Sequence, residues 1–208
     1  MTSNIAPSLS SLLQQSSLDD HESLLESAEK SLSADSNDVR AQRVKVVALL
    51  KLDRYQDALK VFESAPDTLK TQARLEWAYT LYKNGRLEEA VQVASQDEKD
   101  RSLSHVLAQT TYRAEDFDRS ASIYEDLAKK DSGDERSDLR VNSSATDAQL
   151  GWVGKGHLVR KTKLDREDME HFETAFNAAC GYMSRGDLKQ AEFLLSRARG
   201  WSKPDIVV

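Results

Sequence analysis

A short phrase returns along this chain at a regular pitch. Ala78, Gly85, Leu87 and Ala90 make one copy, and Ala179, Gly186, Leu188 and Ala191 make another. Val46, Asp53, Tyr55 and Ala58 make a third, continued by Phe62 and Ala65. The order is what a helical hairpin requires. A turn residue ends the first helix, a hydrophobe starts the second, and a small residue sits where the two cross. A large side chain at that crossing would push the helices apart and leave voids or strain. Gly85 and Gly186 suit the turn because left-handed backbone costs glycine little. Asp53 and Glu115 take the same place in less ideal turns.

Aligned on the small residue of each second helix, the copies fall at Leu24, Ala58, Ala90, Ser120 and Ala191, in steps of 34, 32, 30 and 71 residues. This resembles the tetratricopeptide (TPR) repeat, a helix pair of about 34 residues, so the last step spans two units and hides one degenerate repeat. With 3 Pro and 8 Gly in 208 residues, helices can run uninterrupted, and period-two β patterns are scarce. The expectation is an all-α, TPR-type helical-hairpin solenoid, a superhelical array of about four to five repeats.

The spacing predicts hairpins at 8–17 with 20–33, 38–52 with 54–65, 68–84 with 86–95, and 98–114 with 116–130. A lone helix over 134–150 follows, then a glycine-bearing loop (about 151–166) in place of most of a second helix. The last hairpin is 167–185 with 187–199. Residues 1–7 read as a disordered N-terminus, 8–199 as the array, and 200–208 as an extended or disordered tail.

Composition narrows the function classes. A net charge of -6 disfavours a dedicated nucleic-acid binder. The single Cys180 has no internal partner, which favours a reducing compartment. No apolar run approaches the roughly 20 residues that span a bilayer. The N-terminus lacks the basic start and long apolar core of a secretory signal, so the cytosol is the expected address. His21, His105, His157 and His171 show no metal-ligand spacing, and neither a metal, a cofactor nor an enzyme activity is expected. Gly151 to Gly156 lacks the full phosphate-loop pattern. Lys155, His157, Arg160, Lys161 and Lys163 form a basic run that reads as a solvated loop, with RNA contact as the alternative. Asn142-Ser143-Ser144 fits a glycosylation acceptor that a cytosolic chain would not use.

The remaining candidate surface is the wall formed by the first helix of each pair. Counting along those helices gives Arg40, Arg43, Val47 and Leu50, then Leu75, Tyr79 and Tyr82. His105, Gln109, Tyr112 and Arg113 follow, then Asn142, and finally Glu173, Phe176, Asn177, Cys180 and Met183. Aromatic and Arg side chains suit peptide capture, because they bury large area and hydrogen-bond peptide groups.

Two stretches carry a narrower resemblance. Phe176-Asn177-Ala178-Ala179-Cys180-Gly181, followed by Gly186-Asp187-Leu188-Lys189-Gln190-Ala191, is one. Asp134-Glu135-Arg136 leading through Asn142-Ser143-Ser144-Ala145 to Trp152 is the other. Together with Asp38-Val39, Val44 to Leu49 and Tyr124 to Leu127, they resemble the TPR region of the seventy-two-kilodalton protein family of the eukaryotic signal recognition particle, over about residues 8–199. The resemblance implies a scaffold that binds the C-terminal part of the particle's sixty-eight-kilodalton subunit to form a heterodimer. It also implies that particle RNA is contacted by a basic segment absent from this chain. Arg43 and Arg113 do not complete the Lys-Asn-Arg set of the TPRs that clamp a free C-terminal carboxylate, so capture of an internal segment is the expectation.

Overall fold

In the computed structural model, residues 18–97, 99–129, 135–159 and 172–201 are described. Every regular element among them is helical, as expected. The expected helix over 8–17, the stretch 160–166 of the expected loop and the tail from 202 lie outside the described residues. The chain divides into two compact units, one through Gln96 and one from Asp97.

The N-terminal unit holds α1 (Leu18–Ala34), α2 (Val39–Lys51), α3 (Tyr55–Ser64), α4 (Asp67–Gln72), α5 (Arg74–Lys83) and α6 (Leu87–Ala94). Asp38 starts α2 by accepting hydrogen bonds from the backbone N–H groups of Arg40 and Ala41, at 2.9 and 3.2 Å. The crossing residues Ala58 and Ala90 are fully buried. The first copy departs from expectation. Leu24 is only half-buried, and Leu25 and Ala28 form the buried line of α1, with Leu25 packed against Ala48, Leu49 and Ala58. The expected single helix over 68–84 also breaks. Ala73 leaves helical values (φ -116, ψ 45), and the bend seats Leu69 and Ala73 in one cluster with Val46 and Phe62. Trp77 closes that cluster with its ring 4.8 Å from Phe62.

The C-terminal unit holds α7 (Arg101–Arg113), α8 (Phe117–Lys129), α9 (Arg136–Trp152), a 3-10 turn (Gly156–Leu158), α10 (Phe172–Ser184) and α11 (Leu188–Trp201). Ser120 serves as the crossing residue of α8. Buried, it donates to the Ala108 carbonyl at 3.0 Å, which satisfies a polar group in the core.

One turn geometry is repeated through both units. After α2, α5, α7, α9 and α10 the chain passes through a positive-φ residue: Asp53 (56), Gly85 (76), Glu115 (62), Gly154 (79) and Gly186 (78). At each, the next N–H reaches back five residues: Arg54 to Leu49 O, Arg86 to Leu81 O, Asp116 to Thr111 O, Lys155 to Leu150 O and Asp187 to Tyr182 O. This is the Schellman helix stop. Gly154 belongs to the series although no turn was expected there. α9 is therefore the first helix of the degenerate repeat, and it runs past the expected end at 150 to Trp152.

After that turn the described residues, up to Val159, form no second helix, and the chain departs there from the pattern of the other copies. The other second helices begin with a large hydrophobe two residues past the turn (Tyr55, Leu87, Phe117, Leu188) and place a small residue three further on (Ala58, Ala90, Ser120, Ala191). Here those places hold Gly156 and Val159, and one 3-10 turn forms instead. α10 then packs directly on α9. The approach is close. A Cβ on Gly151 would overlap the Ser184 hydroxyl, and one on Gly181 would touch the Ala148 backbone at 3.9 Å.

Candidate protein-interaction surfaces

In the N-terminal unit, α2 and α5 present their unburied stripes together. Arg43 joins them, its guanidinium donating twice to Glu76 Oε1 at 2.9 and 2.7 Å. Val47 lies between Arg43 and Leu50 on the same stripe but is buried, so it supports the packing of α2. Arg40 and Lys51 are exposed, and Leu50 is half-buried. On α5, Leu75, Tyr79 and Tyr82 are half-buried on one face, and the two tyrosine rings lie 6.0 Å apart.

The cluster extends beyond the first helices to Tyr55 at the start of α3. Lys83 places its ammonium 4.4 Å from the ring centre of Tyr55 and 5.8 Å from that of Tyr79. The Tyr55 hydroxyl donates to Asp53 in the preceding turn, which pushes the phenol above its ordinary pKa. The same phenol, as a hydrogen-bond partner, holds Lys83 above the usual lysine value against the opposing effect of burial. Asn84 donates to the Tyr55 backbone carbonyl at 3.0 Å and so fixes the start of α3 beside this cluster. Tyr55 and Lys83 were not among the expected site residues. The signal was there: Tyr55 opens a second helix two residues after a turn, next to the end of the following first helix.

In the C-terminal unit the expected residues play unequal parts. Gln109 and Tyr112 are half-buried and Arg113 exposed on α7, with the Tyr112 ring edge-on to Phe117 at 5.5 Å. His105 is drawn to Glu135 at 3.1 Å, and Arg101 joins the same carboxylate at 2.7 Å while also donating to the Leu127 carbonyl. The Arg101 guanidinium beside it holds the Glu135 carboxyl below its usual range, partial burial opposing and His105 adding. Asn177 donates to the Val141 carbonyl at 3.1 Å and so clamps α10 to α9. Asn142, with Asp138, Val141 and Glu173, lines a polar cleft of about 250 Å³.

Apolar exposure concentrates on α10 and α11. Phe172 and Phe176 stack 5.9 Å apart, both more than two-fifths exposed. Met183 borders an open apolar groove of about 430 Å³ with Leu188 and Leu195. Leu188 and Phe193 are exposed as well, which the sequence reading did not anticipate. Cys180 is half-buried and free. In the basic run, Lys155 is paired to Asp118 at 2.7 Å and His157 is exposed, while Arg160, Lys161 and Lys163 lie outside the described residues. Among the described residues no cluster of His, Cys, Asp or Glu could hold a metal ion, and no helix is long and apolar enough to cross a membrane.

Comparison with known proteins agrees with this architecture. Residues 19–149 match the family model SRP_TPR_like, described as "Putative TPR-like repeat". The chain is 34% identical over 152 residues to the signal recognition particle subunit srp72 of Schizosaccharomyces pombe, covering 73% of this chain and 24% of that protein. It is 29% identical over 171 residues to subunit SRP72 of Dictyostelium discoideum, covering 82% of this chain and 25% of the relative. The human SRP72 subunit shows 29% identity over 177 residues, 84% of this chain and 26% of the relative. The chain thus spans about a quarter of the length of the curated relatives it matches. The crystal structure of BtubC (BKLC) from P. vanneervenii aligns with a TM-score of 0.51 at 15% identity, over 90% of each chain, a likeness of fold.

Proposed function

Because this chain belongs to the TPR-like repeat family of signal recognition particle subunits, we propose that it is a protein-binding scaffold of that particle rather than a catalyst. Its partner in this reading is the C-terminal region of the sixty-eight-kilodalton subunit. The heterodimer serves co-translational targeting to the endoplasmic reticulum from the cytosol. The observation that carries the reading is the α2–α5 face, where Leu75, Tyr79 and Tyr82 stand partly exposed beside Arg43 without being needed to close the core. Such a surface fits an extended segment that orders on binding, with affinity resting on a few aromatic anchors.

The test is a pull-down of the sixty-eight-kilodalton C-terminal fragment by the full chain and by Tyr79→Ala and Tyr82→Ala. Weakened retention, with unchanged helical circular dichroism and melting, is the expected result. Full retention by both variants removes the α2–α5 face from the account.

A further inference from the structure

We infer that the α2–α5 face takes an acidic peptide segment, a conclusion that rests on the scaffold reading and names the chemistry of what that face binds. Charge is segregated within the N-terminal unit. In a chain of net charge -6, α2 carries Arg40, Arg43, Lys45 and Lys51 and no carboxylate. Lys45 turns toward α1 and pairs with Glu29 at 2.9 Å. Arg40 and Lys51 stand about three helical turns apart, so they share one stripe and frame it at both ends. Arg43 lies between them with 43% of its side chain exposed, and Lys83 joins from α5.

Two carboxylates near these cations are already engaged. Glu76 is held by Arg43 with 14% of its side chain exposed, and Asp53 accepts from the Tyr55 hydroxyl. The acids of this unit lie mainly on other helices: Asp19, Asp20, Glu22, Glu26 and Glu29 on α1, Asp57 and Glu63 on α3, Glu88 and Glu89 on α6. The result is a cationic stripe on α2 beside Leu75, Tyr79 and Tyr82 of α5. A segment with a few carboxylates among apolar residues matches both components, the charges setting approach and register and the aromatics setting affinity. A nucleic acid fits less well, because its uniform phosphate charge meets a chain of net charge -6.

The experiment selects a displayed random dodecapeptide library on the full chain, with Tyr79→Ala/Tyr82→Ala as counter-selection. Synthetic winners, their Gln-for-Glu and Asn-for-Asp versions, and a uridine pentadecamer are then titrated by fluorescence anisotropy at low and high salt. Winners rich in Asp and Glu are expected. Their affinity should fall roughly tenfold on the exposed charge reversal Arg40→Glu/Lys51→Glu, and similarly on amidation of their carboxylates. Neutral or basic winners, the absence of any enrichment, or tighter binding of the oligonucleotide through the same cations would each overturn the inference. The sixty-eight-kilodalton fragment, titrated in parallel, separates the two claims. If it binds through Tyr79 and Tyr82 but ignores the charge reversal, the scaffold reading stands and the acidic inference falls. If it fails to bind while acidic winners do, the named partner falls and the inference stands.

Discussion

The turn at Gly85 and the turn at Gly154 are the same object with different sequels. Both stop a first helix at positive φ, and in both the following N–H reaches the carbonyl five residues back. After Gly85 the chain enters α6; after Gly154 it makes a single 3-10 turn. The turn alone therefore does not generate a repeat. What α6 has is Leu87 to cover the hairpin base and Ala90 at 0% exposure to let α5 approach, where the degenerate repeat offers Gly156 and Val159. A first helix can persist without its mate because it has other neighbours. α9 keeps α8 on one side, through Thr146 close to Ser120, and takes α10 on the other.

The strongest way to test the contrast is to spoil the crossing that exists. Ala90→Leu inserts a branched side chain where α5 and α6 meet, and overpacking of this kind costs about 1–3 kcal/mol. Val159→Leu, at the matching place but half-buried at the end of a single 3-10 turn, should leave the melting curve almost unmoved. Equal losses in thermal denaturation would mean that Val159 sits at a crossing after all.

The substitute interface comes next. Gly151→Ala brings a methyl into the Ser184 side chain and should destabilise by roughly 1–2 kcal/mol, since overpacked sites relax only in part. Ser184→Gly removes the obstacle, so the double variant should recover more than additivity allows, once the helix cost of glycine is subtracted. Additive losses in a double-mutant cycle would mean that α9 and α10 do not touch at this pair.

The turns themselves should respond alike. Gly85→Ala and Gly154→Ala each force a Cβ onto left-handed backbone with open space around it, so the cost is conformational, about 1 kcal/mol. Matching losses by chemical denaturation support one shared helix stop. A negligible loss at Gly154 alone would show that its turn is not coupled to the fold of α9.

Which of these features could be read from the chain follows from how far apart their determinants lie. The stops at Asp53, Gly85, Glu115 and Gly186 were legible because turn, hydrophobe and small residue are close in sequence. The stop at Gly154 escaped an alignment anchored on second-helix small residues, since that repeat has none. Tyr79 and Tyr82 were legible as one helical stripe. Lys83 with Tyr55 was not, because the pair forms only when one helix end meets the start of another. Asn177 stood out as a phrase, yet its side chain serves the α9–α10 seam, where its partner carbonyl at Val141 lies far from it in sequence.

The weakest of the four effects concerns how first helices are tied to one another. Arg43 on α2 reaches Glu76 on α5, and in the C-terminal unit Arg101 and His105 on α7 reach Glu135 at the head of α9. The tie thus recurs in the repeat whose turn at Gly154 leads into a 3-10 turn. Glu135 has a folded-state pKa below its ordinary value, chiefly through Arg101. A depressed acid adds stability above its unfolded pKa and loses it as pH falls through the folded value. Glu135→Gln should therefore lower the melting temperature slightly at neutral pH, and the gap to the wild type should close as pH falls from the ordinary glutamate value through the depressed folded one, below which the carboxylate is protonated in both states. Added salt should narrow the gap at neutral pH, because the carboxylate is partly exposed. A gap that persists unchanged into acid would mean that Glu135 acts by shape or neutral hydrogen bonding, and that the tie between α7 and α9 is not electrostatic.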